Sequence, residues 1–471
     1  MLALITAYLY LILFALLAMM AWQYFRGTHD LLSFRNFAIL GFCIFQLHST
    51  AGALNFGPRP EMTLQNPVET AAIYAVMATA FLAIALWSYN RGFLVTRLAH
   101  KIPTARSVPS ESALWALAII LIIGAFLLRQ GIPVYPFYHL SRIFSVGMAV
   151  AAFGILGWIW GPRLYNPVVI AVVAVLGLVA LITIMSGIFG RRPLVAAGAA
   201  LLWGVYFSNL RYQRPTFASV RLAAIAAVPV ILVALYSTAR DQQHAERTGV
   251  EQLRMSIERG ELRRGIELLS QGQDAGGNSL WLIETHPDQF PRRYFHTLVY
   301  TVVYPVPREL WPTKPEPLSD IMPHMARIQR VDRDALKIGP GIIGHIAAEG
   351  GWIALIVYGI VGGLFFRLLD EITWNNAHNP LVIIAIGSSF GHLIGMARGE
   401  TSAFTALFIL SVVMVYIMLL IIGKLLEAWY PAAAVLDDDG DLLDEDAPLH
   451  ESEDHWTDYG EPVAGYHPAI Y

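Results

Sequence analysis

The chain has 471 residues, of which 56% are hydrophobic and only 14% charged, with a formal net charge of −3. Soluble domains average roughly 45–50% apolar and about 25% charged, so the composition excludes an ordinary soluble globular protein and gives no sign of a basic nucleic-acid binder. The single cysteine, Cys43, excludes an intrachain disulfide.

Apolar runs of about 18 residues read as membrane-spanning helices. In chain order the pattern predicts about eleven: Leu2–Phe25, Phe37–Phe56, Thr70–Tyr89, Ala113–Leu128, Ile143–Trp160, Pro167–Met185, Pro193–Leu210, Val220–Thr238, Ile343–Leu368, Pro380–Met396 and Ala403–Leu426. The first run has no basic flank and is too long for a signal-peptide core, so it reads as a retained span. The fold class expected is an all-α polytopic membrane protein. Residues 1–238 form a bundle of about eight helices and residues 342–428 add three more.

Residues 239–341 form a connector too long to be structureless. Within it, "GVEQLRMSIERGELRRGIELLSQ" spaces Leu253, Ile257, Leu262, Ile266 and Leu269 as an amphipathic helix on the membrane or the bundle. "RRYFHTLVYTVVYPVP" is apolar but too short to span, and suits a re-entrant or interfacial segment. Residues 429–471 are an acidic tail. Twelve acids and no Lys or Arg lie between Asp437 and Glu461, which leaves 32 basic against 23 acidic residues in the remainder. Such a tail is expected to be disordered.

Basic residues are unevenly shared between alternate loops. One set holds about twelve, including Arg35, Arg91, Arg97, Arg211 and Arg367, and the opposite short loops hold about six. The positive-inside rule then places the N-terminus and the connector outside and the acidic tail in the cytoplasm.

No Asp or Glu falls near the middle of any predicted span, which argues against an ion-coupled carrier. The chemistry-bearing residues gather at the outer helix ends. Arg191 and Arg192 in "SGIFGRRPL" run against the charge bias. Paired guanidiniums at headgroup level suit a lipid-linked diphosphate, or serve as snorkelling anchors. Arg240 in "LYSTARD" is a second clamp or a partner for Asp241. Arg398 in "GMARGET" is a third outer arginine or a partner for Glu400. In "VPRELWPTKPEP" the prolines fix an extended path, Arg308 and Lys314 offer positive charge, and Trp311 offers a flat face for a sugar or the interface. His345 and Glu349 share one face of a helix after a Gly-Pro-Gly break. Facing a wet cavity, the imidazole is a general base oriented by Glu349, or the two are a packing pair. Asp332 and Asp334 in "VDRD" have a metal-motif spacing common by chance, and no metal site is expected.

In this order along the chain, "SGIFGRRPL", "VPRELWPTKP" and "GHIAAEGGWIAL" resemble the bacterial O-antigen polymerase (Wzy-like) and oligosaccharide repeat-unit polymerase families between Met185 and Arg398. The resemblance implies an all-helical membrane glycosyltransferase of the GT-C-like type in the bacterial inner membrane. It implies a donor glycan on undecaprenyl diphosphate, no cofactor, and a flippase, chain-length regulator or export proteins as partners. It casts Arg191, Arg192 and Arg240 as the diphosphate clamp and His345 with Glu349 as the base, with inversion at the anomeric carbon. An O-antigen ligase or a non-enzymatic carrier would use the same residues.

Overall fold

The computed structural model describes residues 1–102, 107–130, 137–186, 192–240, 249–270, 274–308, 310–328, 337–430 and 434–435. The described chain is almost wholly helical. Ten of its helices are long and apolar enough to cross a membrane: Leu2–Phe25, Phe34–Phe56, Pro67–Asn90, Glu111–Arg129, Ile143–Arg163, Pro167–Met185, Pro215–Thr238, Trp352–Asn375, Pro380–Arg398 and Thr401–Glu427. The chain is therefore a polytopic helical membrane protein.

Local chemistry sets several of the starts. Ser33 accepts from the Asn36 backbone and Ser110 from that of Ala113. Asn166 and Asn379 cap helices whose first residue is proline, which needs no backbone donor there.

The expected span Pro193–Leu210 is the helix Arg192–Ser208, 17 residues long, and does not reach the length of the other ten. At about 1.5 Å per residue it extends roughly 25 Å, at the short limit for a bilayer. It nevertheless runs from one end of the bundle to the other. Arg192 lies against Phe404 at the start of the last span, whereas Tyr206 bonds Asp30 at the opposite end.

A second difference concerns the expected span Ile343–Leu368. It is broken into Gly341–Glu349 and Trp352–Asn375. Gly351 has φ +58°, a conformation that side-chain-bearing residues rarely adopt, and it turns the chain between the two. The spanning helix therefore begins at Trp352 and takes in Asp370 and Glu371 near its far end, both buried.

Two apolar clusters fill the bundle. One unites Glu111–Arg129, Phe137–Trp160, Pro167–Met185 and Arg192–Ser208, and the other unites Leu2–Phe25, Phe34–Phe56 and Pro67–Asn90 with Trp352–Asn375. Between them lies Pro380–Arg398, 82% of whose apolar window is buried. Around it Phe34, Trp203, Phe390 and Phe408 pack ring on ring, with Phe390 4.5 Å from Trp203 and 5.3 Å from Phe34 between centroids.

The connector folds onto the bundle end opposite Asp30. Its amphipathic stretch is two helices, Gly249–Arg259 and Leu262–Ser270, separated at Gly260, and both pack on Pro215–Arg240. Ala275–Thr285 is buried almost throughout, against Ser49–Phe56 and Gly341–Glu349. Arg59 pairs with Asp274 at 2.8 Å, and Glu284 accepts the backbone donors of Gln65 and Asn66. The expected re-entrant segment is an eight-residue helix, His296–Val303. Asp332, Asp334 and the tail from residue 436 onward lie outside the described residues.

Candidate functional site

A buried polar network joins the connector to the bundle. The helix Gly341–Glu349 places His345 and Glu349 one turn apart, 0% and 1% exposed. His345 Nδ1 lies 3.1 Å from Glu349 Oε1 and 2.9 Å from the Thr297 hydroxyl. Glu349 accepts the Thr297 hydroxyl at 2.5 Å, the Thr297 backbone N–H at 2.9 Å and the Tyr358 hydroxyl. On the other side of the ring, Nε2 lies 3.4 Å from Glu400 Oε1. Glu400 in turn accepts from the Ser319 backbone at 2.8 Å and the Ser402 hydroxyl at 2.5 Å.

These contacts decide the charge on the ring. Burial opposes the imidazolium, but Glu400 and Glu349 outweigh it and raise the His345 pKa above 6.5. Burial likewise opposes the Glu349 carboxylate, and His345, Thr297 and Tyr358 overcome it, so its pKa falls below 4.5. The Thr401 backbone N–H also approaches Nε2, at 3.3 Å. It can donate there only when the ring is neutral, so the Glu400 carboxylate and this amide compete for Nε2. Glu400 at Nε2 and Glu349 at Nδ1 together favour the protonated ring, because full charges in a buried setting outweigh one neutral donor.

The expectation of a face open to a wet cavity is thus not met. His345 and Glu349 are buried on every side, and an imidazole that favours its proton between two carboxylates is a poor proton acceptor. Glu400 does not serve chiefly as a partner for Arg398, since it turns to His345, Ser319 and Ser402.

Above this network lies a cationic rim. Arg192 is exposed and its guanidinium sits 4.2 Å from the centre of the Phe404 ring. Arg192 and Thr401 each begin a helix, and the Arg192 side chain reaches the first turn of the second. Arg398 ends the helix that precedes Thr401–Glu427, with its guanidinium 6.0 Å from the Phe45 ring. Arg308 is exposed and reaches toward the carbonyls of Lys314 and Pro315 at 3.4 and 3.5 Å. Trp311 is 37% exposed and its indole donates to Thr313.

Lys314 departs from the expectation of an offered charge. It is 7% exposed and donates to the Tyr304 and Val306 carbonyls at 2.7 and 2.9 Å, between the Tyr300 and Tyr304 rings. Burial, then the Arg308 charge, lowers its pKa. Lys314 is a strut that shapes the proline-rich turn. Arg240 ends the helix Pro215–Arg240, antiparallel neighbour of Arg192–Ser208, and so reaches the same end by its backbone. Its side chain, like the whole of Arg191, lies outside the described residues.

Beneath the network, Phe34–Phe56 contains a π-helical turn, Cys43–His48. It carries Gln46, wholly buried, whose amide donates to the Ala397 carbonyl at 2.7 Å. The Gln46 oxygen accepts from Tyr74 at 3.2 Å and Ser279 at 3.4 Å. Such turns recur at functional sites.

Thr297, Tyr358, Ser319 and Gln46 were not singled out by sequence. Thr and Ser carry no pattern that marks them as partners of a residue 50 or more positions away. Among the described residues no group of three or more His, Cys, Asp or Glu side chains is arranged to hold a metal ion. No protein-family model, curated protein or solved structure matches the chain significantly.

Proposed function

We propose that the chain is a membrane glycosyltransferase that extends a surface polysaccharide, joining a glycan on undecaprenyl diphosphate to an acceptor sugar hydroxyl at the connector end of the bundle. One observation carries the reading: exposed Arg192 begins one helix and lays its guanidinium over Phe404 in the first turn of another. Helix N-termini and guanidinium groups both favour an oxyanion. Arg191, adjacent in sequence, and Arg240, which ends the helix packed on Arg192–Ser208, would complete the clamp.

In this reaction the bond between the anomeric carbon and the diphosphate oxygen breaks as the acceptor oxygen attacks from the opposite face, which inverts the centre, and the hydroxyl proton passes to solvent or to the departing diphosphate. Negative charge grows on the departing diphosphate, and pre-placed cations lower that barrier. The buried His345 network supports the rim from below and does not contact the sugar.

The test is reconstitution of the purified protein in vesicles with undecaprenyl-diphosphate-linked oligosaccharide. Longer lipid-linked glycans are expected. Transfer only to a different acceptor would make it a ligase, and binding without bond formation would make it a carrier. Either outcome overturns the reading.

A further inference from the structure

The His345 network has a role that needs no glycan to be tested. We infer that His345 is a positioning residue, a buried cation that fastens the connector to the bundle by bridging Glu349 and Glu400. Its meaning for transfer rests on the proposed function; the fastening itself does not.

The geometry is that of a clamp. Glu349 holds Thr297 of the helix His296–Val303 through both its backbone and its hydroxyl. Glu400 holds the backbone of Ser319, the second residue of Leu318–Met325. The two connector helices that carry the proline-rich turn between them are therefore pinned by the two carboxylates. What keeps those carboxylates together, both buried, is the ring between them. Without its charge, two like charges face each other across a dry gap.

The groups around the ring are few. Its own helix supplies Glu349, the start of the last span supplies Glu400, and Trp352–Asn375 supplies Tyr358 through Glu349. Tyr74, on Pro67–Asn90, is engaged with Gln46. His296 is engaged with the Glu316 carbonyl, and Arg398 lies by Phe45. The faces from Ala275–Thr285 and Cys43–His48 are neutral, Ser279 and Gln46.

The sign of the pH response follows. The ring titrates above its ordinary 6.5 when clamped and near it when released, so the clamp is complete below 6.5 and lost as pH rises through the higher value. On the acid side Glu349 contributes above 4.5 and is lost as pH falls through its depressed value.

The experiment uses the full chain in lipid nanodiscs, with Cys43→Ala and one reporter cysteine. Met322→Cys reports from a fully buried position on Leu318–Met325, and Trp311→Cys gives an exposed reference that cancels thiol ionisation. The ratio of their maleimide labelling rates is followed with pH. With His345 present the ratio rises at least about tenfold as pH climbs past the imidazole range. His345→Gln gives the high ratio at every pH. Glu400→Gln, which keeps the packing and removes one charge, moves the rise to lower pH. A ratio flat with pH, an unmoved midpoint in Glu400→Gln, or a His345→Gln protein protected like its parent would each overturn the inference. In a protein shown to transfer glycan, His345→Gln with native protection and no turnover would do so too, because the ring would then act on substrate.

Discussion

The Asp370 carboxylate accepts the backbone N–H of Phe34 at 2.6 Å, joining residues 336 positions apart. It also takes the Arg35 backbone N–H at 3.2 Å and the Tyr89 hydroxyl at 2.8 Å. One carboxylate thereby caps the second span's helix and ties it to two others. Asp370→Ala leaves three donors buried without an acceptor, at about 1–3 kcal/mol each before relaxation. A loss of about 3 kcal/mol or more is expected in denaturant unfolding of the detergent-solubilised protein. Asp370→Asn, which keeps one acceptor oxygen, should fall well short of that.

Arg192 gives the sharpest functional prediction. If its guanidinium meets the departing diphosphate, Arg192→Ala lowers turnover by about a hundredfold. Its exposure means that unfolding midpoints should hardly move. Arg192→Lys restores part of the rate, since a point charge remains but the two-pronged geometry does not. Elongation rates of reconstituted variants check this.

The amphipathic pair offers two glycines that act by different physics. Gly260 has φ +62° and open space around it, so Gly260→Ala costs about 1 kcal/mol through backbone strain alone. A side chain at Gly265 would run into the Ala234 carbonyl, and Gly265→Val lifts the helix Leu262–Ser270 off Pro215–Arg240. Hydrogen exchange across residues 249–270 separates the two. The first variant keeps the protection of both helices, and the second loses it.

His29 sits in the turn after the first span. Burial, then the charges of Arg35 and Arg367, pushes its pKa from 6.5 down to about 4. The fold thus holds the ring neutral while the unfolded chain protonates it earlier. Its contribution to stability is complete above 6.5 and is lost as pH falls from there to about 4. His29→Gln should be flatter than the parent protein over that window, as read from thermal midpoints measured through it.

Hydropathy made the spans legible because a bilayer demands one signal, about 18 apolar residues in a row, and two of them, Leu2–Phe25 and Pro167–Met185, match residue for residue. The same signal hid the break at Gly350 and Gly351, since glycine does not interrupt an apolar count. Reading through that break set the end of the span at Leu368, and Asp370 was missed two residues later. His345, Glu349 and Arg192 stood out because charge is rare near spans. What they touch was not legible. Thr297, Ser319 and Glu400 come together only when the connector doubles back, and a one-dimensional pattern does not carry that pairing.

The π-helical turn Cys43–His48 stores one additional residue within a single coil of the second span. Excising one residue there would let the coil rewind to the ordinary pitch and leave the faces on either side in phase, whereas the same excision elsewhere in the span would swing one side about 100° around the axis. Between Ser33 and the coil, that swing would turn either the cap or Gln46 away from its partners, because a single rotation cannot satisfy both. Tolerance of this span to deletion is therefore governed by angular phase, and its most forgiving point is the wide coil itself.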